Sequence, residues 1–270
     1  MKPLAAALAV LLAGCASGTV PAEEAGSGPT IVSLNPCTDA ILARVAGPGQ
    51  LLAISHYSKD AGSSSMSAKD AARFAATGGT VEEILALKPD LVVASTFLPP
   101  ATLAAMAELG LEVRTFGAAA TVEESIAQVR ELAALAGRVE EGEQLVAEIE
   151  QALAHAATTG GTVEAALWQP GGIVPGEASL VSDLMRRTGF TGYGAARGMQ
   201  QADYLSLEQV LADPPQVLLV AGAETGQSHP VLDTLAQMRR ESFDTRLLYC
   251  GGPTIIDAAK RLSEIRARAS

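Results

Sequence analysis

The chain has 270 residues, 48% of them hydrophobic and 18% charged, with a formal net charge of −11. That length supports one large core or two medium ones, and the composition is that of a folded protein. An acidic chain without a Lys/Arg cluster is a poor nucleic-acid binder, and charge would not hold it to an anionic membrane.

Residues 1–14 read as a signal peptide: Lys2 gives a positive start, a ten-residue apolar run fills 4–13, and Cys15 follows Leu12-Ala13-Gly14. The run is too short for a permanent membrane span and fits an export signal. Small residues leading into a cysteine resemble the lipobox of bacterial lipoproteins, which implies that Cys15 is lipidated and anchors the mature chain. Residues 15–29 are rich in Gly, Ser, Pro and Ala and read as a flexible tether.

Strands are expected at 30–34 and 50–55, with a helix at 38–45 begun by Asn35-Pro36. A polar, Gly/Ser-rich stretch covers 58–79, and a helix at 100–109 and a strand at 112–116 follow. Residues 122–157 keep helical apolar spacing without proline, so one connecting helix of about 35 residues, near 50 Å long, is expected. Beyond it come a strand at 162–168, a helix at 179–188 and an irregular loop at 193–204. A helix at 230–238, a strand at 246–250 and a helix at 254–268 complete the chain. Alternating strands and helices predict parallel βαβ units. The division is an N-terminal α/β lobe at 30–120, the connecting helix at 121–157 and a C-terminal α/β lobe at 158–270.

One pattern occurs twice. EEILALKPDLVVA at 82–94 aligns without a gap with EQVLADPPQVLLV at 208–220, an offset of 126 residues (208 − 82). Each copy reads as a short helix stopped by proline and followed by a buried strand. Glu82 and Glu208 occupy the same place in the two copies, and a carboxylate at a helix start is favoured by the helix dipole alone.

Cys37 and Cys250 remain once Cys15 is set aside. Export favours a disulfide between them; two free thiols, or a thiolate ligand, are the other arrangements. A thiol nucleophile at Cys37 with Asp39 and His56 near in sequence would be an enzyme's equipment, but no hydrolase or phosphate-loop signature accompanies it. Three histidines in the whole chain are too few for a resident metal site built on imidazoles.

Several segments together resemble the helical-backbone class of ABC-transporter substrate-binding proteins, of the cobalamin and ferric siderophore type. They are 31–36 (IVSLNP), 51–57 (LLAISHY), 81–93 (VEEILALKPDLVV), 206–220 and 251–262 (GGPTIIDAAKRL). The resemblance implies two small Rossmann-like lobes with parallel sheets joined by one long helix, the ligand between them. It implies a periplasmic, monomeric binder rather than an enzyme, whose partners are a permease dimer and its ATPase. Glu82 and Glu208 fall where the family docks on permease arginines. The strand-end loops at 35–38, 56–60, 95–99, 168–175, 192–204 and 250–253 would border the ligand. Within or beside these loops stand His56, Tyr57, Phe97, Trp168, Tyr193 and Tyr204, whose rings suit a large, partly apolar chelate. Cobalamin is the first expectation, a ferric siderophore or haem the alternatives, with Arg197 the clear cation for an acidic siderophore.

Overall fold

The computed structural model describes residues 28–269, so the signal peptide, Cys15 and nearly all of the tether lie outside the described residues. The first lobe runs β1 (Ile31–Ser33), α1 (Pro36–Val45), β2 (Leu51–Ser55), α2 (Ala68–Ala71), β3 (Ala75–Thr77), α3 (Val81–Leu87), β4 (Leu91–Ser95), α4 (Pro100–Glu108) and β5 (Val113–Phe116). Helices α5 (Val122–Leu135) and α6 (Val139–Ala156) follow. The second lobe runs β6 (Val163–Trp168), α7 (Leu180–Arg187), β7 (Phe190–Gly192), α8 (Tyr193–Ala196), α9 (Leu207–Ala212), β8 (Val217–Ala221), β9 (Arg239–Phe243) and α10 (Thr254–Arg268).

Both sheets are parallel throughout, in the order β3-β2-β1-β4-β5 and β7-β6-β8-β9. The two-lobed α/β fold expected from the sequence is the one adopted. The doubled motif builds the same unit twice: α3 with β4, and α9 with β8. Strands β4 and β8 are nearly continuous apolar runs because both faces of a parallel sheet are covered. Adjacent residues serve opposite layers. Val93 and Leu219 enter the large core, whereas Val92 and Leu218 face smaller clusters on the outer sides of the sheets.

The single connecting helix is corrected to two. After Leu135 the chain closes a Schellman cap: Gly137 N–H bonds Ala134 O, Arg138 N–H bonds Ala133 O at 2.7 Å, and Gly137 has φ +66°. The helices then fold back on each other. Arg130 pairs with Glu143 at 2.7 Å, and a Cβ at Gly142 would lie 2.4 Å from that of Ala133. The two glycines make a hairpin: Gly137 turns the chain and Gly142 lets the helices approach. The remaining strut, α6, has 18 residues, about 27 Å of helix.

One large core joins the lobes, drawing Ile41 from α1, Leu132 from α5, Ile149 from α6, Leu167 from β6 and Ile255 from α10. Two other expectations change. The 230–238 helix is a 3-10 turn at Pro230–Thr234, and the last strand is β9 rather than 246–250, where a 3-10 turn at Thr245–Leu247 leads into a loop. β9 carries Arg239, Arg240 and Glu241 at the sheet's edge, the composition that keeps edge strands from pairing with other chains and that hides them from an apolar-pattern reading.

Candidate ligand-binding cleft

In both sheets the chain steps outward one way and then returns to the other side, so the order reverses between β1 and β4 and between β6 and β8. Crevices for ligands form beyond the carboxyl ends of strands at such reversals. Four aromatic side chains are exposed among the described residues: Tyr57, Phe97, Tyr204 and Tyr249. All four lie on loops or turns of the two lobes that lead away from strand ends. Tyr57 is 54% exposed in the 3-10 turn His56–Lys59 after β2, its ring centroid 4.0 Å from that of exposed His56. Phe97 is 84% exposed after β4, in a turn where Ser95 Oγ accepts its N–H.

In the second lobe, Tyr204 lies against Gly172, where a Cβ would come within 2.4 Å of the ring, and the neighbouring Ile173 bridges to it. Tyr249 donates its hydroxyl to Gln169 Oε1 at 3.2 Å. No local signal in the sequence marked Tyr249. A groove between the lobes is lined by Ser58, Lys59, Ala61 and Ser64 on one side and Arg246 on the other. The Arg246 guanidinium is held by Asp244 at 3.0 Å.

Two of the expected ligand contacts are corrected. Trp168 is the last residue of β6 and 3% exposed, packed in the outer cluster with its indole N–H donated to Leu205 O at 2.8 Å. Tyr193 is 2% exposed and donates its hydroxyl to Asp213 O, while the Arg197 guanidinium lies 3.5 Å above its ring. Burial on the outer side of the second sheet leaves neither ring a face for a ligand. Arg197 is committed as well, bonded to Glu164, Asp213 and the Tyr193 carbonyl.

Cys37, at the start of α1, and Cys250, just ahead of α10, form a disulfide across the lobes, with Cα atoms 4.9 Å apart. The residues after Cys250 are set into the first lobe. Gly252 donates its N–H to Ser125 Oγ at 2.7 Å, and a Cβ on it would lie 2.4 Å from Ile41 Cγ1; Gly251 is equally crowded by Ser125. Glycine is required there for close approach, and at Gly252 also for φ +61°. Since Cys37 is cross-linked, the thiol-nucleophile arrangement has no thiol. Among the described residues no three His, Cys, Asp or Glu side chains are grouped to hold a metal ion.

The repeated glutamates sit at one structural position. Glu82 and Glu208 are each the second residue of their helices, after caps in which Thr80 Oγ1 accepts from Glu83 N–H and Ser206 Oγ from Gln209 N–H. The third residue of each helix turns back on the preceding chain: the Glu83 carboxylate binds Thr77 and Gly78, and Gln209 completes a capping box. The second residue turns outward. Both glutamates are exposed, and neither is in an ion pair among the described residues. Glu208 is held below the usual carboxylate range by its own helix start and Ser206.

Solved structures of similar fold cover nearly the whole chain. The periplasmic heme-binding protein RhuT from Roseiflexus sp. RS-1 matches with a TM-score of 0.72 at 22% identity, covering 90% of this chain and 99% of its own. The periplasmic vitamin B12 binding protein BtuF of Vibrio cholerae matches with a TM-score of 0.69 at 19% identity, covering 90% and 98%. The periplasmic heme-binding protein HutB of Vibrio cholerae matches with a TM-score of 0.71 at 17% identity, covering 88% and 98%. No curated protein matches the sequence. The family profile of the periplasmic binding proteins matches residues 31–240, which take in the first sheet, the helical hairpin and the second sheet as far as the start of β9. The chain belongs to the periplasmic binding protein family.

Proposed function

We propose that this protein is the extracytoplasmic substrate-binding component of an ABC importer, capturing a large chelate and delivering it to a permease dimer driven by its ATPase. The carrying observation is the set of exposed rings, Tyr57 and Phe97 from one lobe and Tyr204 and Tyr249 from the other. Flat, partly apolar faces with polar tips suit a macrocycle. Cobalamin is the first assignment. A ferric siderophore, an acidic ligand, is less well served, because Arg197 and Arg246 are already paired.

Haem is the second reading, favoured by one observation: His56 is exposed beside Tyr57, so an imidazole or a phenolate is on hand as an axial ligand. Glu82 and Glu208 are assigned to permease docking, and Cys15 to a lipid anchor on a monomeric mature chain. Calorimetric titration of the mature protein with cyanocobalamin, hemin and a ferric hydroxamate tests the ligand. Nanomolar binding of cyanocobalamin alone is the expected result. Binding of hemin alone moves the assignment to haem, and binding of the hydroxamate alone overturns the macrocycle reading.

A further inference from the structure

The turn that carries His56 and Tyr57 is fastened from beneath by one carboxyl group. Asp39 lies on α1, two residues past Cys37, and is fully buried. Its Oδ2 accepts the Ser55 N–H at 2.9 Å and the Ser58 hydroxyl at 2.6 Å, so residues on both sides of Tyr57 hang on one oxygen atom. Its Oδ1 has no hydrogen-bond partner. Burial pushes this carboxyl up to about 7, against the opposing pull of the nearby Ser33 and Ser58 hydroxyls and the Ser55 N–H.

No charged group faces it. β1 and β2 offer Ser33 and Ser55. His56 and Lys59 in the turn are exposed, and the Lys59 ammonium is spent on the Ala71 and Phe74 carbonyls. Arg44, further along α1, pairs with Glu148 of α6, and Glu123 and Glu124 of α5 are exposed.

We propose that Asp39 is the positioning residue of the ligand-contacting turn: it fixes His56 and Tyr57 relative to the cross-linked start of α1, and its protonation state sets how firmly the turn is held. The ligand half of this statement rests on the proposed contact of Tyr57 with the macrocycle; the turn half does not. Opening the turn would hydrate the carboxyl and return it to about 3.9, its value in an unfolded chain. The state with the lower pKa gains as pH rises. The closed turn is therefore firmest below about pH 4, loosens as pH climbs toward 7 and changes little above it.

Amide hydrogen exchange of the mature protein, corrected for intrinsic rates, tests this. Protection of the Ser55 and Tyr57 to Lys59 amides is expected to fall by roughly tenfold or more from pH 5 to pH 7 and then to level off. Asp39→Asn should abolish the slope. Ser58→Ala leaves the carboxyl in place and removes one bond, so it should lower protection at every pH and keep the slope; it serves even if Asp39→Asn folds poorly. In calorimetry with cyanocobalamin and hemin, Asp39→Asn should weaken whichever probe the wild type binds and flatten the pH profile of its affinity.

A flat wild-type exchange profile, or an Asp39→Asn variant that keeps the slope, overturns the proposal. An Asp39→Asn variant whose affinity matches the wild type at every pH overturns the ligand half alone. Tyr57→Ala separates the two readings: unchanged affinity for both probes overturns the ligand contact, while the exchange profile still decides the role of Asp39 in the turn.

Discussion

Tyr57 and Trp168 each stand near the carboxyl end of a strand, one in each lobe, and they meet opposite fates. Tyr57 lies beyond the end of β2, in a turn, and is 54% exposed; Trp168 is the final residue of β6 and is 3% exposed. Strand alternation decides the second case. Ala165 and Leu167 enter the large core, so Ala166 and Trp168 face the outer layer, beneath residues of α8 and α9. A ring on the last residue of a strand belongs to the sheet; a ring two residues past the end is free to face solvent.

The harshest way to break this comparison is to cut the seam that holds the two sets of loops in register. The Cys37–Cys250 cross-link spans 213 residues, and chain-entropy arguments give such a loop about 5 kcal/mol at most. Cys37→Ser with Cys250→Ser is expected to lose about 2–5 kcal/mol in denaturant unfolding under oxidising conditions, with weaker ligand binding. A double variant that unfolds at the wild-type midpoint would show that the cross-link contributes nothing.

The comparison itself is sharpened by paired alanine variants. Trp168→Ala should cost about 3–5 kcal/mol in the free protein, from lost packing and the cavity left behind. Tyr57→Ala and Phe97→Ala should stay within about 0.5 kcal/mol of wild-type stability and lose ligand affinity instead. Thermal unfolding with and without ligand checks both. The assignment fails if Trp168→Ala keeps its melting temperature and loses only the ligand.

What could be read from the sequence follows the same line between element and edge. The α3–β4 and α9–β8 units were legible because strands covered on both faces are unbroken apolar runs, and a helix start such as Asn35-Pro36 carries its cap in the local sequence. The hairpin was not. Apolar periodicity continues through Gly137, and only the packing of Gly142 on Ala133 shows that the chain has turned back. β9 was missed because Glu241 is stabilised by Arg261 and Arg268 of α10, far along the chain, rather than by an apolar alternation. Of the six expected ligand contacts, His56, Tyr57, Phe97 and Tyr204 are exposed; Trp168 and Tyr193 required knowledge of which sheet face they took. Tyr249 had no pattern at all, and Asp39 stood out only as a neighbour of Cys37: one is displayed by a loop seated on the other lobe, and the other is buried beneath a turn 16 residues on.

The smallest expected effect on the folded protein tests the repeated glutamates against their neighbour. Glu83→Ala removes a carboxylate that binds Thr77 and Gly78, so it should lower thermal stability slightly. Glu82→Arg and Glu208→Arg remove no ion pair among the described residues, and stability and ligand affinity should both stay near wild type. Their effect should appear only when the permease is present. Charge reversal at either glutamate should slow uptake in reconstituted vesicles by roughly tenfold or more, and reversal of both should slow it further, most clearly at low salt. Two lobes that dock alike should give single variants of similar severity. A large effect at Glu82 with none at Glu208 would mean that the repeat preserves a helix start in the second lobe and a docking contact in the first alone.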